Sequence, residues 1–172
     1  MNTYYTIEEK YLHAVDKLYF NTPKGLKMLS AIIADDPFYA RAHYQIGKIY
    51  YRDLKDYQSA GYHFKTCMEL EPLFPDNYFE YLSLVVFLNM AMQVEVVSAK
   101  ALTTPGVHIS EIHELLGLYA EKSRQYAKAL EAYRSAYMEA TTKEQRDNSE
   151  EAVDRVKEKM QQSFAYQYTL SG

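Results

Sequence analysis

The stretch that decides the fold is His43–Tyr57, HYQIGKIYYRDLKDY, read together with Ala60, Phe64, Cys67 and Pro72 downstream. Ile46, Gly47 and Tyr50 stand three and four apart, on one face of a helix, and Ala60, Phe64 and Cys67 do the same on a second. Two such helices make a hairpin. Gly47 and Ala60 are the small side chains that let the two backbones approach, and Tyr50 and Phe64 fill the space around the crossing. Pro72 stops the second helix, because its ring clashes with the preceding turn and it has no amide hydrogen to donate.

The same face pattern recurs along the chain. Leu116, Gly117, Ala120, Tyr126, Ala129, Tyr133 and Ala136 repeat it, with His113 standing where His43 stands. The first copy carries one residue inserted after Tyr51, and the second has no insertion. Upstream, Gly25, Leu29, Ile32 and Pro37 match second-helix positions, with Leu12 and His13 expected on the helix facing them. Thr6 with Glu9 forms a capping box, and Thr22 with Pro23 marks a cap and first helical residue. Between the two strong copies, Phe79, Leu82, Ser83 and Val86 fit a first helix opened by Pro75 and Asp76. Its partner is expected around Val94, Ser98 and Ala101, across a Val94–Val97 run rich in β-branched residues.

The positions of His43, Ile46, Gly47, Tyr50, Ala60, Phe64, Cys67 and Pro72 resemble those of the tetratricopeptide repeat (TPR) family, whose members are usually protein-binding scaffolds. The resemblance implies an all-α, α-α superhelix fold, a TPR solenoid of about four hairpins at a period of roughly 34 residues. Repeats are expected at 6–37, 38–72, 75–105 and 108–140, within a repeat region over 1–140. Residues 141–172 then read as a C-terminal capping helix and a short flexible tail. Val153, Val156, Met160 and Phe164 form its apolar stripe, Asn148 with Glu151 its cap, and Glu151 with Arg155 a favourable pair one turn apart. An open-ended stack needs such a helix to shield its last hairpin.

Composition narrows the function classes. The chain has 172 residues, 48% hydrophobic and 24% charged, with a net charge of −4. That acidic balance disfavours a nucleic-acid partner, which requires a dense basic surface, and disfavours an anionic membrane surface for the same reason. Met1 to Lys10 is polar and acidic, unlike a signal peptide, and the apolar run Leu82–Met92 is too short to cross a bilayer and is broken by Asn89. A cytoplasmic protein is the expectation. Cys67 is the single cysteine, so neither an internal disulfide nor a thiolate metal site can form, and its place in a small-residue slot reads as a buried hydrophobe.

No constellation for catalysis, metal or cofactor emerges. His113 and Glu114 begin a zinc-peptidase-like string, but Gly117 stands where the second histidine should be, and His108 and His113 are five apart. Gly25, Gly47, Gly61 and Gly117 each lie alone in a helical pattern and build no phosphate-cradling loop. A non-enzymatic protein is expected.

The 18 tyrosines, with no tryptophan, separate into two groups. Tyr50, Tyr57, Tyr126 and Tyr133 occupy packing positions, whereas Tyr44, Tyr51 and Tyr81 fall on the first-helix face that lines the concave surface of a TPR stack. The second repeat would contribute Arg41, Tyr44, Gln45, Lys48, Tyr51 and Arg52 to that surface. The third would add Asn77, Glu80, Tyr81, Leu84, Phe87 and Leu88, and the fourth Glu111, Glu114, Leu115, Leu118, Glu121 and Lys122. The surface is expected to grade from basic and aromatic through apolar to acidic; the plainer alternative is that these charges only solvate exposed helices. Some TPR proteins that bind heat-shock chaperones hold a terminal carboxylate with Lys, Asn, Asn, Lys and Arg. The matching positions here are Lys10, Ala14, Gln45, Asn77 and Tyr81, of which only Lys10 fits, so that clamp is not expected.

The expected partner is thus another protein or peptide segment, held in the groove by an adaptor. A small acidic TPR chaperone for a secreted or assembly-prone partner is an alternative. So is a self-associating structural module, with which a homo-oligomer is compatible.

Overall fold

The computed structural model describes residues 6–170, with side chains through residue 163. Among the described residues there are nine α-helices and no strand: α1 (Ile7–Phe20), α2 (Thr22–Asp35), α3 (Ala40–Ile49), α4 (Tyr57–Leu70), α5 (Asp76–Phe87), α6 (Ala91–Ala101), α7 (Ile109–Lys122), α8 (Tyr126–Glu139) and α9 (Lys143–Leu170). Helices α1 and α2, α3 and α4, and α7 and α8 pack as hairpins. The chain divides into two compact units, Met1–Leu84 and Val85–Gly172, with the division inside α5.

In the first unit the core is Tyr11, Ala14, Leu29, Ile32, Ala42, Ile46 and Ile49. The face of α1 differs from expectation by about one position: Leu12 is 55% exposed and His13 lies in solvent, while Tyr11 and Ala14 turn inward. The helix crossing at Gly47 is as tight as the sequence requires, since a Cβ there would come within 2.8 Å of the Phe64 ring. Thr6 and Glu9 make their reciprocal capping box, with Glu9 N donating to Thr6 Oγ1 at 3.2 Å and Thr6 N to Glu9 Oε2 at 2.7 Å. The α2 cap is Asn21, not Thr22, because the Asn21 carbonyl reaches the Lys24 amide at 3.0 Å.

The residue inserted after Tyr51 is absorbed within the helix. Tyr50–Leu54 continues α3 as a π-helical segment, the form a helix takes when one extra residue is accommodated without a break. The turn that follows is of the same kind as those after α5 and after α7, and unlike the α1–α2 turn at Asn21. Lys55, Asn89 and Arg124 all hold a left-handed conformation, with φ of 57°, 55° and 57°. Met90 N donates back to Val85 O and Gln125 N to Ala120 O, five residues in each case, and Asp56 N donates to Tyr50 O, six residues back.

In the second unit, Ala120, Ala129, Tyr133, Ala152 and Val156 form a core shared by α7, α8 and α9. A Cβ at Gly117 would lie 2.6 Å from the Tyr133 ring. Helix α6 forms despite its β-branched run, because Val94, Val97, Ser98 and Ala101 are all buried and tertiary packing outweighs a small propensity cost. Helix α9 begins earlier than Asn148 suggests. Thr142 Oγ1 accepts from Gln145 N at 3.2 Å, and Gln145 Oε1 accepts from Thr141 N and Thr142 N, which is a capping arrangement nearly two turns upstream. Val156 is fully buried and Val153 and Met160 half-buried; the Phe164 side chain and the last two residues lie outside the described residues.

Candidate functional site

In the first unit the first helices lie side by side. Gln45 on α3 donates to the Tyr11 hydroxyl of α1 at 3.3 Å. Arg52, in the π-helical segment, forks onto Glu80 of α5, with Nε to Oε2 at 3.2 Å and an Nη to Oε1 at 2.6 Å. This bidentate pair is the firm polar link between those elements, and the Glu80 side chain is only 8% exposed.

Along α3, a ladder of alternating character runs through Arg41, Phe74, Tyr44 and Lys48. The Arg41 guanidinium lies 5.7 Å from the centroid of Phe74, which meets Tyr44 edge-on at 5.1 Å; the Lys48 ammonium sits 5.0 Å from the Tyr44 centroid. Each ring holds one cation by its π-face. Burial, with Glu80 and Asp76 adding to it, pushes the Tyr44 phenol well above its usual range, so the ring stays neutral beside both cations. Arg41 has one acidic neighbour, Glu71, at a loose 3.8 Å, and Lys48 has no carboxylate partner among the described residues.

Several expected surface residues face inward. Asn77 and Leu84 are fully buried, and Glu80, Tyr81 and Tyr44 nearly so. Asn77 donates to the Phe64 carbonyl at 3.0 Å, tying the start of α5 to α4, and Tyr81 packs 6.2 Å from the Phe64 ring. Asn77 and Leu84 are therefore structural and offer nothing to a partner. Tyr44 and Tyr81 are packing residues as well, contrary to their assignment from the repeat pattern. Tyr51 is half-buried against Tyr57 and Phe64, and burial raises its phenol.

In the second unit, Phe87 is 51% exposed, with the Lys122 ammonium 5.9 Å from its ring and also donating to the Val86 carbonyl at 3.4 Å. Leu118 and Leu88 are exposed, whereas Glu111, Glu114 and Leu115 are half-buried. Burial raises the Glu114 carboxyl, helped by the nearby Glu111, while a 3.5 Å hydrogen bond from Ser149 opposes the shift.

Glu121 was expected to close the acidic end of the surface, and it does not. It is 7% exposed and accepts from Arg155 at 3.0 and 2.9 Å, Lys159 at 2.7 Å and the Tyr133 hydroxyl at 2.8 Å. The Arg155 hydrogen bonds, then those of Lys159 and Tyr133, outweigh burial and hold its carboxyl down at about 2. Arg155 is therefore turned to Glu121 and not paired with Glu151 one turn away. Glu80 and Glu121 are both neutralised internally, so the simple charge gradient is not realised.

Two of the five histidines, His43 and His63, are accounted for by packing. His43 Nδ1 and His63 Nδ1 are 2.9 Å apart, and His43 Nε2 lies 3.1 Å from the Pro37 carbonyl. If that carbonyl receives the His43 proton, His63 is the donor between the rings. Tyr50 stacks on His63 at 5.7 Å. Burial lowers both imidazoles, His63 to about 4. Cys67 is fully buried, its thiol pushed up to about 12, mainly by burial. Among the described residues no three metal-ligating side chains converge, and no helix is long and apolar enough to cross a membrane.

Sequence reasoning missed Tyr11, Phe74 and Lys159, and gave Arg155 the wrong partner. Phe74 sits in the α4–α5 connection, outside any helical pattern, and the Arg155 and Lys159 contacts to Glu121 bridge more than thirty residues. Only the crowding of Phe74 between Pro72 and Pro75, which stiffens that connection, hints at a fixed ring.

No family model and no curated protein matches the chain. Solved structures do. Residues 41 to the end of MamA from Desulfovibrio magneticus RS-1 superpose with a TM-score of 0.65 at 17% identity, covering 88% of this chain and 93% of that one. A MamA RS-1 double mutant gives 0.66 at 16% identity, over 91% and 96%, and a further MamA crystal structure 0.65 at 18%, over 91% and 93%. At such identities the likeness is one of fold. The fold is the all-α helical-repeat one, of the solenoid class.

Proposed function

We propose that this chain is a TPR-type, non-enzymatic interaction scaffold that holds a segment of another protein on the first-helix face of its repeats. The observation that carries the reading is the Arg41–Phe74–Tyr44–Lys48 ladder. It offers cations held in place by rings on a helix whose other faces are committed to the core. Rigid aromatic supports and Arg are the side chains that anchor protein partners at low entropic cost. The inward-facing glycines and alanines of the hairpins, the buried histidines and the inert thiol are explained by packing, whereas the exposed cations of the ladder are not.

A photo-crosslinking residue placed at Gln45, within the ladder, tests the proposal against the same residue at Lys65, which lies on the solvent side of α4. In an extract of the source cells, discrete adducts are expected from position 45 and not from position 65. Adducts from position 65 alone, or from neither, would overturn it.

A further inference from the structure

We infer that the partner segment is acidic, with two carboxylate side chains three residues apart in an extended, polyproline-like conformation. This rests on the scaffold reading above and names the chemistry of the same face. Four cations lie along or near it, and they are not equivalent. Arg52 is committed to Glu80 through a two-point fork, and Lys10 is paired with Asp35 at 3.2 Å. Arg41 and Lys48 remain. Arg41 meets Glu71 only at 3.8 Å, with both side chains nearly half in water, a geometry that contributes little. Lys48 has only the Tyr44 ring beneath it among the described residues.

The aromatic pair stands between these two cations, each resting on one ring. Seven residues of α-helix set the Cα atoms of Arg41 and Lys48 about 10 Å apart along the axis and on the same face, so the two side chains leave the helix at that spacing. In a β-strand, residues three apart span a similar length but point to opposite sides. In a polyproline helix, with three residues per turn and a rise of about 3.1 Å, side chains three apart fall on the same side and about 9 Å from one another. Such a segment presents two carboxylates at the spacing at which Arg41 and Lys48 leave their helix. Arg and Lys keep N–H donors free beyond the ring face they rest on, so the rings position them without consuming them.

The probes are fluorescein-labelled synthetic peptides built around Glu-Pro-Pro-Glu, Gln-Pro-Pro-Gln and Glu-Glu-Pro-Pro, with identical flanks, titrated with the full-length protein and read by fluorescence anisotropy. The Glu-Pro-Pro-Glu peptide is expected to bind about tenfold tighter than either of the others. That advantage should shrink as salt rises and vanish in the Arg41→Gln, Lys48→Gln double variant, while Lys65→Gln leaves it unchanged. Equal binding of the neutral peptide, an undiminished advantage in the double variant, or no binding of any peptide would overturn the inference. Position-45 adducts obtained alongside any of those results leave the scaffold standing and remove only its acidic preference. The lack of adducts together with the lack of peptide binding removes both.

Discussion

Gly47, Gly61 and Gly117 are all helical glycines, and their surroundings assign them opposite roles. A Cβ at Gly47 would press on the Phe64 ring at 2.8 Å, and one at Gly117 on the Tyr133 ring at 2.6 Å. Neither ring can swing aside, since Phe64 is fully buried and the Tyr133 hydroxyl is fixed to Glu121. Alanine in a helix interior ordinarily gains about 1 kcal/mol over glycine, but overpacking costs about 1–3 kcal/mol, so the clash wins at both crossings. At Gly61 the nearest atom to a new Cβ is Leu84 Cδ2 at 3.8 Å, an ordinary contact. We therefore expect Gly47→Ala and Gly117→Ala to destabilise the protein by a net of up to about 2 kcal/mol, and Gly61→Ala to stabilise it by about 0.4–1 kcal/mol. Denaturant unfolding of the three variants decides the matter; the same sign at all three would mean that the crossings are not the source of the glycine requirement.

At the scale of elements, the second hairpin carries its extra residue as a π-helical segment, and the turn after it keeps the form of its counterparts. Deleting Asp53, which is exposed and follows Arg52, shortens the Asp56-to-Tyr50 hydrogen bond to the five-residue span seen at Gln125 and Met90. This variant is expected to melt within a few degrees of the parent, a change of about 1 kcal/mol or less. Deleting Gln45 instead rotates the rest of α3 by about 100° and withdraws Ile49 from the core, at a cost of at least about 2–5 kcal/mol. Equal loss of melting temperature in the two deletions, followed by circular dichroism, would show that the insertion is needed for folding. The repeat pattern made that insertion legible because small residues at a crossing and apolar residues three and four apart are local signals. It could not register α1 to the residue, since Tyr11 and Leu12 are both apolar enough to face inward. Nor could it find the fate of Glu121, because an acid on a first-helix face looks the same in sequence whether water or a distant Arg155 and Lys159 receive it.

For the molecule as a whole, the displaced titrations predict how stability responds to acid, and each unit contributes its own share. In the first unit, burial holds His63 at about 4 and also lowers His43, whereas the unfolded chain protonates near 6.5. Below pH 6.5 the unfolded chain therefore binds more protons than the folded one, and stability must fall until about pH 4, where His63 also charges. In the second unit, His113 is lowered by burial in the same sense. Glu121 acts in a lower window: its stabilisation is present above 4.5, where the unfolded carboxyl is ionised, and is lost as pH falls toward 2; the raised Glu114 acts only above 4.5, where it opposes the histidine decline. The denaturation midpoint should thus decline in two stages, first between pH 6.5 and 4 and again from 4.5 downward. His63→Asn retains an N–H donor for His43 but does not titrate, so it should make the first stage shallower and leave the second intact; Glu121→Gln should do the reverse. If the first stage is as steep in His63→Asn as in the parent, the paired imidazoles are not what makes the fold acid-sensitive.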